Sequence, residues 1–149
     1  MLAACGGFLV AIVWMDLIFD VQVLSHRATA GTLPEPVLAS ITAYYRRATT
    51  DSRPMSRLIA AAMAIAVIGS LVQLFRGDGS VTTRLLALAL CATPAALAAV
   101  RVLPNAVRLG QRADDVAIQS ALARSICRDH LICLALIGAF TLLQLTKEG

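Results

Sequence analysis

The chain has 149 residues, 58% of them apolar and 15% charged, with a formal net charge of +4. So apolar a composition excludes an ordinary soluble domain, and the length leaves no room for one beside several membrane spans. The positive balance reads as a topology signal and an attraction to anionic lipid, not as nucleic-acid binding, because no basic soluble fold is there to carry it.

The first apolar run, Leu2 to about Leu24, is long enough for a span of about 20 residues. The stretch LAAC at 2–5 resembles a lipoprotein cleavage site, but no apolar region or basic start precedes it and no small-residue site follows the apolar core. The run is therefore expected to be a retained helix. It carries Asp16 and Asp20, four apart and so on one helical face. With a boundary near Leu24 they lie about 6 Å (Asp20) and about 12 Å (Asp16) inside it. An unpaired carboxylate there costs roughly 2–3 kcal/mol, so each should face the bundle, pair with a cation or hold a proton. Two like charges at this spacing also favour proton exchange. Ala3, Gly7 and Ala11 recur every four residues, a pattern suited to close helix packing.

The connection that follows contains PEPVLASITAYYRRA at 34–48. Val37, Leu38, Ile41, Tyr44 and Tyr45 fall on one helical face, and Arg46 and Arg47 sit at the end that favours cations. This predicts an amphipathic helix on the membrane surface with both tyrosines at headgroup level, or one packed over the ends of the bundle; both can hold. The second span is expected over Leu58–Phe75, with Ala62, Ala66 and Ser70 at small-residue spacing. RGDGS at 76–80 suits a short turn. The third span is expected over Leu85–Leu103, with Pro94 kinking it and freeing a carbonyl near residue 90 that Thr93 could partly satisfy. Gly110 then breaks the pattern. Asp114 and Asp115 suit a helix start, so the last helix should begin near Ala113 and project from the membrane before crossing it over Ile126–Leu145.

Segments in lipid must satisfy their backbone internally, and no barrel alternation is present. The expected fold is all-α: one integral membrane domain over 1–149, a four-transmembrane-helix bundle with a cytoplasmic amphipathic surface helix. Arg27, Arg46, Arg47, Arg53 and Arg57 lie between the first two spans, and Arg101, Arg108, Arg112, Arg124 and Arg128 lie around the last connection. The opposite side has Arg76, Arg84 and Lys147. The positive-inside rule then puts both long connections in the cytoplasm and both termini outside a cell or inner membrane.

This topology gathers the charges of all four helices into one layer on the cytoplasmic side. Asp16 and Asp20 come from the first span, with His26 at its end, and Arg57 opens the second. Arg101 closes the third, with Asn105 just beyond it, and Arg128, Asp129 and His130 open the fourth. One reading is a salt-bridge network that fixes helix order, with Asp20 paired to Arg128 or Arg101 and the arginines reaching toward headgroups. The other is a pocket in which Asp16, Asp20, His130 and Arg128 do proton chemistry while Arg101, Asn105, Arg57 and His26 hold a ligand. Cys5, Cys91, Cys127 and Cys133 are scattered and read as buried thiols. Cys127, His130 and Cys133 spread around a helix instead of converging, so no metal site is assigned. Trp14 reads as packing or lipid-facing. No nucleophilic triad, phosphate loop or dinucleotide fingerprint is present, and the sequence specifies no cofactor.

With the spans placed, the polar first loop, VLPNAVRLG at 102–110 and RSICRDHLICLALIGAF at 124–140 resemble the small four-helix membrane protein family that includes the anthrone oxygenases. The resemblance implies cofactor-independent oxidation of an aromatic substrate and makes Asn105, Arg128 and His130 candidate pocket residues. The acidic pair of the first helix has no counterpart in that pattern. Three functions stay open: an enzyme with an apolar small molecule in the polar layer, a small transporter acting as a dimer, and an accessory subunit of a larger membrane complex.

Overall fold

The computed structural model describes residues 1–26, 31–51, 53–76 and 80–148. The centre of the expected turn at 77–79 lies outside them, as do Arg27 and the side chains of Arg53 and Lys147. The elements are α1 (Leu2–Asp20, extended by a 3-10 turn to His26), α2 (Glu35–Arg46) with a π turn over Arg47–Asp51, α3 (Arg53–Arg76), α4 (Val81–Leu97), a π turn over Ala98–Val102, α5 (Leu103–Gln111) and α6 (Val116–Glu148). No strand occurs among the described residues. Four helical segments, Leu2–His26, Pro54–Arg76, Val81–Gln111 and Val116–Thr146, are long and apolar enough to cross a membrane.

Those segments differ from the expected spans at their ends, for local reasons. Pro104 does not stop the third helix: the chain stays helical from Val81 through the π turn Ala98–Val102 and α5 to Gln111. The helix instead ends beyond Gln111, where Arg112 takes a left-handed conformation with φ 53° and its N–H meets the Leu109 carbonyl at 3.1 Å. Gly110, expected as the breaker, is helical and serves a close approach. A Cβ there would lie 2.9 Å from the Arg46 nitrogen, so α5 can rest directly on the backbone of α2 only with glycine at this position. Asp115 starts α6 as expected, its Oδ1 accepting the Ile118 N–H at 2.8 Å. Beside it Arg108 grips Asp114 through two 2.8 Å contacts. That hydrogen-bonded guanidinium holds the Asp114 carboxyl below the usual range. What it lends the turn is therefore present at neutral pH and lost as the pH falls through that lowered value.

The molecule has two unlike halves. In one, α1, α3, α4 and the later part of α6 pack together, most extensively α1 on α6. Ala62, Ala66 and Ser70 of α3 are buried as their spacing suggests. On α1 the packed glycine is Gly6, against Phe140 and Thr141, whereas Gly7 meets nothing within 4 Å. The expected stripe of Ala3, Gly7 and Ala11 is thus not the contact face; only Ala3 of the three is buried. Outside this half is a band of large apolar side chains, among them Trp14, Ile18, Ile68, Phe75, Val100 and Leu142.

The other half is a cap built like the interior of a soluble domain. Helix α2 lies across the bundle end and packs on α5 and the first turns of α6, where Leu38, Ile41, Leu109, Ala123 and Ile126 are all 0% exposed. The segment leading into α2 is tied to α6, with the Leu33 N–H on Ser120 Oγ at 2.9 Å and Arg124 Nη2 on the Gly31 carbonyl at 2.9 Å. Arg112 pairs with Glu35 across the α2–α5 contact. At 33 residues α6 is about 50 Å long, so it runs unbroken through both halves.

Candidate functional site

The polar cluster sits where the two halves meet. Asp16 and Asp20, one turn apart on α1, both face α6 and α2. Asp20 is 0% exposed, yet its carboxylate is fully engaged: Oδ1 accepts from the Tyr45 hydroxyl at 2.7 Å and Oδ2 lies 2.6 Å from His130 Nδ1. Asp16 Oδ1 accepts from the Tyr44 hydroxyl at 2.5 Å, and its Oδ2 lies 3.7 Å from His130 Nε2. His130 thus has one carboxylate at each ring nitrogen. With both carboxylates ionised, Nδ1 donates to Asp20 and Nε2 faces Asp16 across a gap too wide for a direct bond but narrow enough for one further polar atom to contact both.

Helix α2 closes the cluster. Tyr44 and Tyr45 are adjacent, and both reach inward because α2 crosses over α1 with this edge down. The Tyr44 ring stacks on Phe19 at 4.1 Å and the Tyr45 ring lies 6.5 Å from that of His130. Burial first, and then the neighbouring Asp16 for Tyr44 and Asp20 for Tyr45, push both phenols well above their ordinary range. They therefore stay protonated and act as fixed donors. Of the two placements expected for α2, along the membrane surface or over the ends of the bundle, α2 is packed on the bundle. Tyr45 is buried and Tyr44 half-buried, because the strongest acceptors within reach are the two carboxylates.

Beside the cluster is a cavity of about 290 Å³. Asp16, Tyr45 and His130 form its polar end, Thr49 and Ser56 add hydroxyls, and Ile59, Met63 and Val102 are among its apolar walls. Ala60, Ala99 and Leu103 on the wall are exposed, so it opens outward between α3 and the turn from α4 to α5. That turn is the π-helical stretch Ala98–Val102, which follows Pro94 by one helical turn and supplies part of the lining. A re-registered helix of this kind commonly shapes a functional pocket.

The arginines take another course. Arg101 Nη2 lies 3.2 Å from Asp129 Oδ2, and Arg128 Nε and Nη2 lie 3.3 Å from Asp129 Oδ1. The expected pairing of Asp20 with Arg128 or Arg101 is therefore corrected. Asp129 and His130 are neighbours about 100° apart on α6, which puts His130 toward α1 and Asp129 toward Arg101. Of the other candidates, Arg57 is exposed with no ion pair or hydrogen bond among the described residues, and Asn105 is half-buried outside the cavity lining. His26 Nδ1 lies 3.2 Å from the Gln22 carbonyl, away from the cluster. Cys127 and Cys133 belong to separate apolar clusters on either side of His130. Among the described residues no three His, Cys, Asp or Glu side chains converge as metal ligands. The sequence reading missed Tyr44, Tyr45 and the cavity wall at Ala98–Val102. Comparison with protein-family models, with curated proteins and with solved structures found no match.

Proposed function

We propose that this is a multi-pass membrane protein whose Asp16–His130–Asp20 cluster is an acid–base site for an apolar small molecule held in the adjoining cavity. The exposed apolar band lies in lipid, and the cap lies in the cytoplasm with both chain ends outside. The arginine distribution supports that orientation. Cysteines introduced at Thr50 or Ala113, in a background without the native thiols, should resist an impermeant thiol reagent in intact cells, and one at Ser80 should react. The reverse pattern inverts the orientation.

The observation that carries the acid–base reading is His130 at the wall of an apolar cavity, with Asp20 fixing one ring nitrogen and leaving the other toward Asp16. A carboxylate-backed imidazole of this kind orients the ring and strengthens it as a base. The apolar walls would bind the body of a ligand and raise the strength of every polar contact at its ionisable end. The likeness to the anthrone oxygenases adds a candidate chemistry, oxidation of an aromatic substrate by dioxygen without a cofactor, in which His130 removes a substrate proton and dioxygen takes up the electrons. The chain has only two histidines, so ¹⁵N-histidine spectra give a direct test. Titrating the protein in lipid nanodiscs with 2-naphthol, an apolar weak acid, should shift the His130 ring signals saturably and leave His26 in place. Ala60→Phe, which fills the outer cavity from an exposed position, should abolish the shift. A response that does not saturate, or that survives Ala60→Phe, would remove the cavity from the mechanism.

A further inference from the structure

A second cavity, on the far side of α2 from the acid–base cluster, has the opposite character. It is a cleft of about 400 Å³ between the end of α2 and the end of α5, with walls that include Thr42, Arg46, Arg47, Asp51, Gln111 and Arg112. Three guanidiniums face one carboxylate there. The side chains of Arg46 and Arg47 have no ion pair or hydrogen bond among the described residues, while Arg112 has Glu35. Three local features assemble the cleft. Gly110 lets α5 lie against the backbone of Tyr45 and Arg46. The left-handed Arg112 ends α5 beside that contact. The π turn that begins at Arg47 continues α2 and brings both Arg47 and Asp51 to the lining. The cation preference of helix C-termini accounts for single arginines at these ends. It does not account for an open volume between them.

We propose that this cleft binds a phosphate-bearing anion, with Arg46 and Arg47 as its principal donors and Arg112 at the rim. Planar guanidiniums suit phosphate oxygens through paired, charge-assisted hydrogen bonds, and the amide of Gln111 offers a neutral donor beside them. The site is separate from the acid–base cavity and stands or falls without it. The phosphate can come from a soluble molecule or from a lipid headgroup at the cap's edge. Either source presents the same chemistry to the arginines.

Arg46 and Arg47 make a clean test, since removing either strands no carboxylate. Pyrophosphate binding to the intact protein in phosphatidylcholine nanodiscs, followed by calorimetry, should be saturable and weaken about tenfold in Arg46→Gln and in Arg47→Gln. Arg57→Gln removes an equally exposed arginine outside the cleft and should leave the affinity unchanged. Repeating the titration in phosphatidylglycerol nanodiscs separates the sources. Loss of pyrophosphate binding there identifies the headgroup as the occupant, and unchanged binding identifies a soluble one. No saturable binding in phosphatidylcholine, or an equal loss in Arg57→Gln, overturns the proposal.

Discussion

Asp20→Ala is expected to lower the unfolding free energy of the detergent-solubilised protein by about 3–5 kcal/mol. The side chain is 0% exposed and joins three helices: α1 carries it, Tyr45 of α2 donates to one oxygen and His130 of α6 meets the other. Its removal leaves a buried imidazole and a buried phenol without their acceptor. The damage should therefore be strongly coupled to His130. In the Asp20→Ala background His130→Ala should cost less than in the parent, by about 1–3 kcal/mol. Arg128→Gln should add its own effect without rescue, because Arg128 serves Asp129. Asp16→Ala should cost less than Asp20→Ala, since the site is 18% exposed and the half-buried Tyr44 hydroxyl left behind can turn to water. Additivity of Asp20→Ala and His130→Ala, or rescue by Arg128→Gln, would refute the network.

The second large effect is an asymmetry at Asp129. That carboxylate is 1% exposed, while its partners Arg101 and Arg128 are 45% and 62% exposed. Asp129→Asn releases two guanidiniums that already reach solvent and should cost about 1 kcal/mol. Removing both arginines by Arg101→Gln and Arg128→Gln leaves a buried, unpaired charge and should cost about 3–5 kcal/mol. Adding Asp129→Asn to that double variant should recover most of the loss. Thermal unfolding of the four proteins decides it. Equal losses in Asp129→Asn and in the double arginine variant would mean that the carboxylate is not the dependent partner.

The four long helices were legible because hydropathy over some twenty residues is a strong signal, and the common layer of Asp16, Asp20 and His130 followed from it. The partner choice did not. Charge alone favours arginine for a buried aspartate, whereas the outcome depends on helical phase, and one residue on α6 separates the Asp129 face from the His130 face. The partners of the tyrosines were hidden for a related reason. A pattern of apolar residues on α2 shows that one side is buried without showing whether lipid or protein buries it. VLPNAVRLG was placed beyond the third span, with Gly110 as the breaker. Here the helix continues through it to Gln111 and Gly110 serves a backbone contact, a role not visible without the neighbouring helix.

The closure of the acidic pair by His130 has a consequence for how the protein is made. Asp20 and His130 are 110 residues apart, so α1 leaves the ribosome long before its histidine exists. An unpaired carboxylate inside a nascent span opposes insertion by roughly 2–3 kcal/mol, and α1 has two. The tyrosines come 25 residues after Asp20 and 28 after Asp16, which makes α2 the first segment able to mask them. On the proposed membrane reading, α2 is thus the earliest partner for these carboxylates and α6 the last, so a chain truncated before residue 130 is expected to be degraded faster in cells than the full chain, as a pulse-chase comparison would show.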